Sequence, residues 1–307
     1  MKLKRKVVVL CGAISAEREV SLRSGRAVSN ALPGSQLVEL DENNLPDWIN
    51  ADEHVVFPVI HGDYGEDGQV QMELEARGIA YAGCDVTASR LCIDKVATKK
   101  IMRSAGVPAI PEIAFAGDAK PSAQELLQAL GNNLIIKPAD KGSSVDLYVL
   151  EGLAEVEAAL KKLSKDGQWM AERRLVGREM SIGLLGGKAL GIVEIVPEKG
   201  VYDYQTKYTK GSSEYLFPAP IAPELTKKIQ IAAQKLFAAT GCRDFARADL
   251  FLESSGDFYF LEINTMPGMT ETSLMPKSAS CLGLSFTTLV DKMVAPALTR
   301  AQSGRAS

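Results

Sequence analysis

The chain has 307 residues, 46% hydrophobic and 24% charged, which is the balance of a folded soluble protein and excludes a disordered chain. At roughly 100–200 residues per domain, such a length gives two or three domains. The 35 Lys+Arg against 38 Asp+Glu leave a net charge of −3, so no global positive field exists to hold a nucleic acid or an anionic membrane, and any basic site is local.

The basic start Met1–Lys6 runs into Val7–Cys11, an apolar run too short for a secretion signal, and Glu17-Arg18-Glu19 follows at once. No stretch approaches the ~18 apolar residues of a membrane helix. The five cysteines are scattered, odd in number and form no C-x-x-C, so each reads as a small buried hydrophobe in a reducing cytoplasm. Val7–Leu10 and Val55–Ile60 read as buried strands, and Glu17–Leu32 and Gln69–Arg77 as helices, stopped by Pro33-Gly34 and Gly78. Apolar strands alternating with helices imply a parallel sheet covered on both faces, so residues 1–90 are expected to form an N-terminal parallel α/β domain. Thr87–Ala105 reads as one helix, and the stretch to Pro121 as a connection.

From Leu134 the pattern changes to strand pairs with glycine-rich turns: Leu134–Lys137, Asp146–Leu150, Trp169–Leu175, Met180–Leu185 and Ala189–Val196. An α+β central lobe over 91–178 and a C-terminal lobe over 179–307 are expected. Lys199–Phe217 has little apolar periodicity and reads as a long loop, a lid or binding segment. Ile229, Ala232, Ala233, Leu236 and Phe237 follow helical spacing. Strands Ala246–Leu252 and Phe258–Ile263 come next, then a helix from about Phe286 and a polar, disordered tail after Arg300.

The sharpest chemical signal lies in that last strand pair. Arg247 and Asp249 are two apart and share a face, as do Glu262 and Asn264. Two carboxylates and an amide oxygen are hard donors suited to Mg²⁺, and a neighbouring arginine can neutralise a transferring phosphoryl group; the bland alternative is the polar face of an edge hairpin. Ile135-Ile136-Lys137-Pro138 is a strand ending in a lysine before the loop Ala139–Ser144, which could cradle a phosphate but is not G-x-x-x-x-G-K-[ST] and could equally be a surface turn. Lys95 alone reads as a solvated charge. Ser15 is a candidate N-cap, with Glu17 and Glu19 at the positive end of the helix, and G-x-G-x-x-G is absent. His61-Gly62-Asp63-Tyr64-Gly65-Glu66-Asp67-Gly68 follows the second strand at the carboxyl edge of the sheet, which places His61, unlike His54, for chemistry.

Together, Ser15–Ser21, His61-Gly62 with Gly65–Gly68, Lys137-Pro138 with Gly142–Val145, Tyr202-Asp203-Tyr204 with Lys207-Tyr208, Arg247-Ala248-Asp249 and Glu262–Thr270 resemble the D-alanine–D-alanine ligase family of the ATP-grasp superfamily, over nearly the whole chain. The resemblance implies an ATP-grasp fold behind a Rossmann-like N-terminal domain. The implied reaction joins two D-alanines through an acyl phosphate, with release of ADP and phosphate, for peptidoglycan precursors. By the same resemblance, Glu17 and His61 bind the first D-alanine, and Glu17 links to Ser143 and Tyr208. Lys95, Lys137 and Lys207 contact ATP phosphates, while Glu172 and Glu179 hold adenine and ribose. Arg247 and the Gly268 amide stabilise the intermediate, and Ser273 and Leu274 receive the second carboxylate. Asp249, Glu262 and Asn264 bind two Mg²⁺ (or Mn²⁺). A cytoplasmic homodimer is implied, and Tyr208 favours D-alanine as second substrate over D-lactate or D-serine. A non-catalytic ATP-binding regulator is the alternative from another class. Ala13 and Asp146 stand where the family commonly has glycine, and Arg174 where an aromatic is common.

Overall fold

The computed structural model describes residues 5–140, 146–197 and 213–303. Three sheets follow one another along the chain. In the first, β1 (Lys6–Gly12) pairs in parallel with β2 (Gln36–Leu40) and β3 (His54–Pro58). Every residue of β3 is buried, as a strand covered on both faces requires. Helix α1 (Arg18–Ala31) presents Ser21, Leu22, Ser24, Gly25, Val28 and Ala31 to the interior. Gly25 permits the closest approach, since a Cβ there would lie 2.4 Å from that of Cys11 on β1. Val9, Val55 and Phe57 pack toward α1, whereas Val8, Leu10 and Val56 pack toward α2 (Asp63–Glu66) and α3 (Gln69–Ala76).

The expected helix over Thr87–Ala105 is two helices, α4 (Val86–Ile93) and α5 (Lys95–Ser104). Asp94 breaks the run: its backbone is extended (φ −79°, ψ 100°) and its side chain caps α5 by accepting from the Ala97 amide at 2.9 Å. The stretch read as a connection contains β4 (Glu112–Ala116), an edge strand of a four-stranded antiparallel sheet with β7 (Gln168–Arg173), β5 (Asn133–Pro138) and β6 (Tyr148–Glu151). Helices α6 (Ala123–Leu130) and α7 (Gly152–Lys162) cover it, with Leu126, Leu130, Val156 and Leu160 on Leu134, Ile136 and Trp169.

A five-stranded antiparallel sheet follows, in the order β10 (Ser213–Leu216), β9 (Lys188–Pro197), β8 (Gly177–Leu185), β11 (Phe245–Glu253) and β12 (Phe258–Asn264). β10 corrects the reading of 199–217 as wholly loop, because Ser213–Leu216 pair with Glu194–Pro197; residues 199–212 of that expected lid lie outside the described residues. Helix α8 (Pro223–Ala239) packs Ile229, Ala233 and Leu236 on this sheet, followed in the chain by α9 (Leu274–Ser280) and α10 (Phe286–Ser303).

Each sheet is confined to one of the three expected segments, apart from the first residues of β8, but three of the helices pack across them. Cys92 of α4 and Met102 of α5 join the core of the five-stranded sheet, and Leu289, Val290, Met293 and Ala297 of α10 join the core of the first sheet. At both positions where the family commonly has glycine, the backbone is left-handed, with φ 65° at Ala13 and 53° at Asp146.

Candidate active site

The four- and five-stranded sheets and α5 together gather the charged groups. Ile135 pairs with Glu172 across β5 and β7, so Lys137, two residues on, projects from the face that carries Glu172. The Glu172 carboxylate is buried, with Lys137 Nζ 2.7 Å from one oxygen and Lys99 Nζ 2.5 Å from the other. Burial alone pushes the Glu172 carboxyl up, but the two ammonium groups outweigh it and hold it at about 2. Burial pushes Lys99 down; it opposes the charge on Lys137 too, yet Glu172, helped by Glu262 and Glu179, keeps Lys137 above its ordinary range. One turn before Lys99, Lys95 Nζ lies 3.7 Å from Glu262 Oε2, and burial lowers its pKa. The Lys95 amide donates to Ala139 O at 2.9 Å, which fixes the start of α5 against the end of β5.

On β11 and β12, Asp249 lies opposite Glu262 and Arg247 opposite Asn264. Arg247 grips Asp249 with two hydrogen bonds, at 2.9 and 2.7 Å, and the Ser181 hydroxyl donates to the same carboxylate at 2.7 Å. The Asn264 side-chain oxygen accepts from the Met266 amide at 2.8 Å, starting the turn that leads to Gly268. In that turn Ser273 Oγ accepts from the Thr270 amide at 3.0 Å, and Leu274 opens α9.

The first sheet contributes the third wall. Ser15 does not cap α1; the N-cap position is Glu17, without a side-chain cap. Ser15 Oγ instead accepts from the Glu17 amide at 3.2 Å and donates to His61 O at 2.8 Å, tying the two loops together. Gly62 has φ 94°, and a Cβ there would lie 2.7 Å from that of Ser15, so the tie requires glycine. Buried His61 touches Ser24 Oγ at 3.2 Å through Nε2, and Ser24 Oγ also accepts from the Met269 amide at 3.1 Å. Thus His61 and the 266–273 turn share one hydroxyl. Glu66 Oε1 is 3.8 Å from His61 Nδ1; burial raises the Glu66 pKa, and the nearby Glu17 and Glu262 carboxylates add to that, against the pull of His61. His54, by contrast, is buried edge-on against Trp48.

The sequence-derived residues Glu17, His61, Lys95, Lys137, Glu172, Glu179, Arg247, Asp249, Glu262, Asn264, Gly268, Ser273 and Leu274 are all among the described residues, whereas Ser143, Lys207 and Tyr208 lie outside them. The Glu172 carboxylate, expected at adenine, is occupied by two lysines. Lys99 and Glu66 were not singled out by sequence reasoning. Lys99 falls four residues after Lys95, on the same helix face, which was the available signal.

Profiles of the "D-ala D-ala ligase C-terminus" and "D-ala D-ala ligase N-terminus" match residues 101–295 and 34–84. The chain is 41% identical over 303 residues to a D-alanine–D-alanine ligase of Syntrophotalea carbinolica, covering 97% of each. It is 42% identical over 296 residues to one of Aquifex aeolicus, covering 94% of this chain and 99% of that one. The chain belongs to the D-alanine–D-alanine ligase family. Among solved structures, the family's ATP-complexed enzyme from Bacillus anthracis superimposes with a TM-score of 0.83 at 28% identity, over 97% of this chain and 99% of that one. A D-Ala:D-Ser ligase from Enterococcus faecalis gives 0.83 at 30% identity, over 96% and 99%. The fold is therefore ATP-grasp, with the parallel α/β unit at its N-terminus.

Proposed function

We propose that this chain joins two D-alanines at the expense of ATP, through an acyl phosphate, to supply the dipeptide of peptidoglycan precursors. The observation that carries this reading is the gathering of Lys95, Lys137 and Glu262 where α5 meets the two antiparallel sheets, in a chain 41% identical to a D-alanine–D-alanine ligase. Phosphoryl transfer needs positioning and charge neutralisation more than covalent chemistry. Lys95 and Lys137 supply positive charge to the polyphosphate, with Lys207 assigned beside them, and Glu179 is assigned to the ribose. Arg247, oriented by Asp249, faces the transferring phosphoryl group and the later tetrahedral oxyanion, with the Gly268 amide as a second donor.

Glu17 and His61 are assigned to the first D-alanine, with Ser143 and Tyr208 assigned to act with Glu17, while Ser273 and Leu274 receive the carboxylate of the second. The 199–217 segment is assigned the task of excluding water, which would otherwise hydrolyse the acyl phosphate. Asp249, Glu262 and Asn264 are hard oxygen donors on adjacent strands and fit two Mg²⁺ or Mn²⁺ ions, with Glu262 the more exposed carboxylate, 30% against 9%. Such ions, when bound, neutralise charge on the phosphates. The reading further places the protein in the cytoplasm as a homodimer.

The test is phosphate release from Mg-ATP by the purified chain with D-alanine alone, D-alanine plus D-serine, D-alanine plus D-lactate, or L-alanine, with products identified by mass. Release dependent on D-alanine alone, with D-alanyl-D-alanine formed, is the expected result. A mixed D-Ala-D-Ser product would shift the reading toward the Enterococcus faecalis relative, a depsipeptide toward a D-lactate ligase, and ATP binding without turnover toward a regulator.

A further inference from the structure

Lys99 is fully buried, touches Glu172 at 2.5 Å and has no role in the reading above. Burying an ammonium is costly, and an apolar side chain of similar length would fill the same space without that cost. The partner explains the choice. Glu172 takes Lys99 on one oxygen and Lys137 on the other, so a single carboxylate serves two lysines. A Lys137–Glu172 pair alone is neutral and exerts little attraction on a polyphosphate. With Lys99 included, the trio carries one net positive charge, while Glu172 still fixes the Lys137 ammonium. The other carboxylate acting on Lys99, Glu112, is already engaged by Arg103 at 2.7 Å, so the charge of Lys99 is directed at Glu172.

We propose that Lys99 is a positioning residue for the nucleotide: it neutralises Glu172, so that Glu172 can anchor Lys137 without cancelling the positive charge Lys137 presents to the phosphates. Lys99 itself does not reach a ligand, being 0% exposed where the Lys137 side chain is 15% exposed. The inference rests on the reading of this cleft as the ATP site. At an effective dielectric of about 20, one charge removed about 8 Å from a phosphate charge weakens binding by about thirtyfold before salt screening, which brings the loss toward tenfold. Adenosine, which carries the base and ribose but no phosphate, should not respond.

The experiment measures dissociation constants for ATP and adenosine by calorimetry on the full chain, as parent, Lys99→Met, Glu172→Gln, Lys99→Met with Glu172→Gln, and Lys137→Met, each checked for folding by circular dichroism. Lys99→Met is expected to weaken ATP about tenfold and adenosine less than threefold. Adding Glu172→Gln, which returns the net charge to that of the parent, is expected to recover at least half of the loss on a logarithmic scale. Equal weakening of ATP and adenosine, no weakening of ATP, or no recovery in the double variant would overturn the proposal. Should Lys99→Met fail to fold, Lys99→Gln replaces it: ATP must bind several-fold more weakly than to the parent with adenosine little affected, and unchanged ATP affinity would reject the role. Lys137→Met separates the two levels, because normal ATP affinity in that variant would reject the cleft assignment itself.

Discussion

Glu262 connects the two halves of the candidate chemistry, facing Asp249 across the strand pair and Lys95 across the cleft. Replacement by Gln keeps its shape and removes its charge, so the chain is expected to fold and to lose at least ~10²-fold in ligase rate. Turnover near the parent's, measured by phosphate release, would remove Glu262 from the proposed metal set. Glu172 makes a different prediction, on stability. Its carboxyl is held at about 2 against an ordinary 4.5, so the stabilisation it contributes is complete above about pH 4.5 and is lost as pH falls toward 2. A depression of that size corresponds to about 3 kcal/mol, shared with both lysines. The urea midpoint of the parent should therefore fall through that window more steeply than that of Glu172→Gln, and parallel slopes would count against the trio. At Ala13 the left-handed backbone costs about 1–2 kcal/mol for a residue with a Cβ, partly offset by the entropy glycine loses on folding. Ala13→Gly is expected to raise the urea midpoint slightly, and a lower midpoint would show that Ala13 packing outweighs the strain. That position was visible in the sequence as a departure from the family, but its physical meaning needed φ.

Among elements, those with strong apolar periodicity were legible, and those without were not. Val7–Leu10 and the 229–237 spacing correspond to β1 and α8 because their side chains fill cores on both sides or along one stripe. β2 escaped notice because only Leu40 in it is buried, so as an edge strand it shows no alternation. Helix α6 has a local sequence signal instead of a periodic one: Ser122 and Glu125 form a capping box. The split at Asp94 was hidden for the opposite reason, since helical residues flank it on both sides and only the cap interrupts them. That split places Lys95 in the first turn of a helix, beside Ala139. Asp94→Ala removes the cap at a cost of about 1 kcal/mol and loosens this turn. Circular dichroism should report a folded protein, and calorimetry a several-fold weaker ATP affinity with adenosine unchanged. Loss of stability alone, with native ATP affinity, would show that the cap does not position Lys95.

At the scale of the whole molecule, the candidate site depends on units that are separate in sequence being held together, and one largely buried ion pair joins three of them. Arg300, near the end of α10, donates to both oxygens of Asp244 at 2.9 and 2.6 Å and to Tyr81 O at 2.7 Å. Asp244 also accepts from the Gly83 amide at 2.9 Å, and Arg243 donates to Gly83 O at 2.9 Å while lying over the Tyr81 ring. The end of the parallel unit, the entry to β11 and the last helix thus meet at one carboxylate that is 4% exposed. Nothing in the sequence marks this node, because Arg300 sits next to what reads as a polar tail and its partner is 56 residues away. Arg300→Met leaves Asp244 buried with the Gly83 amide but without its cation, and breaking a buried pair in this way costs about 3–5 kcal/mol, a large share of a typical domain's stability. The urea midpoint is expected to fall accordingly. Adding Asp244→Asn, which removes the stranded charge and keeps an acceptor for Gly83, should recover much of the loss. A double variant no more stable than Arg300→Met would mean that the apolar contacts of α10, rather than the ion pair, hold the units in register.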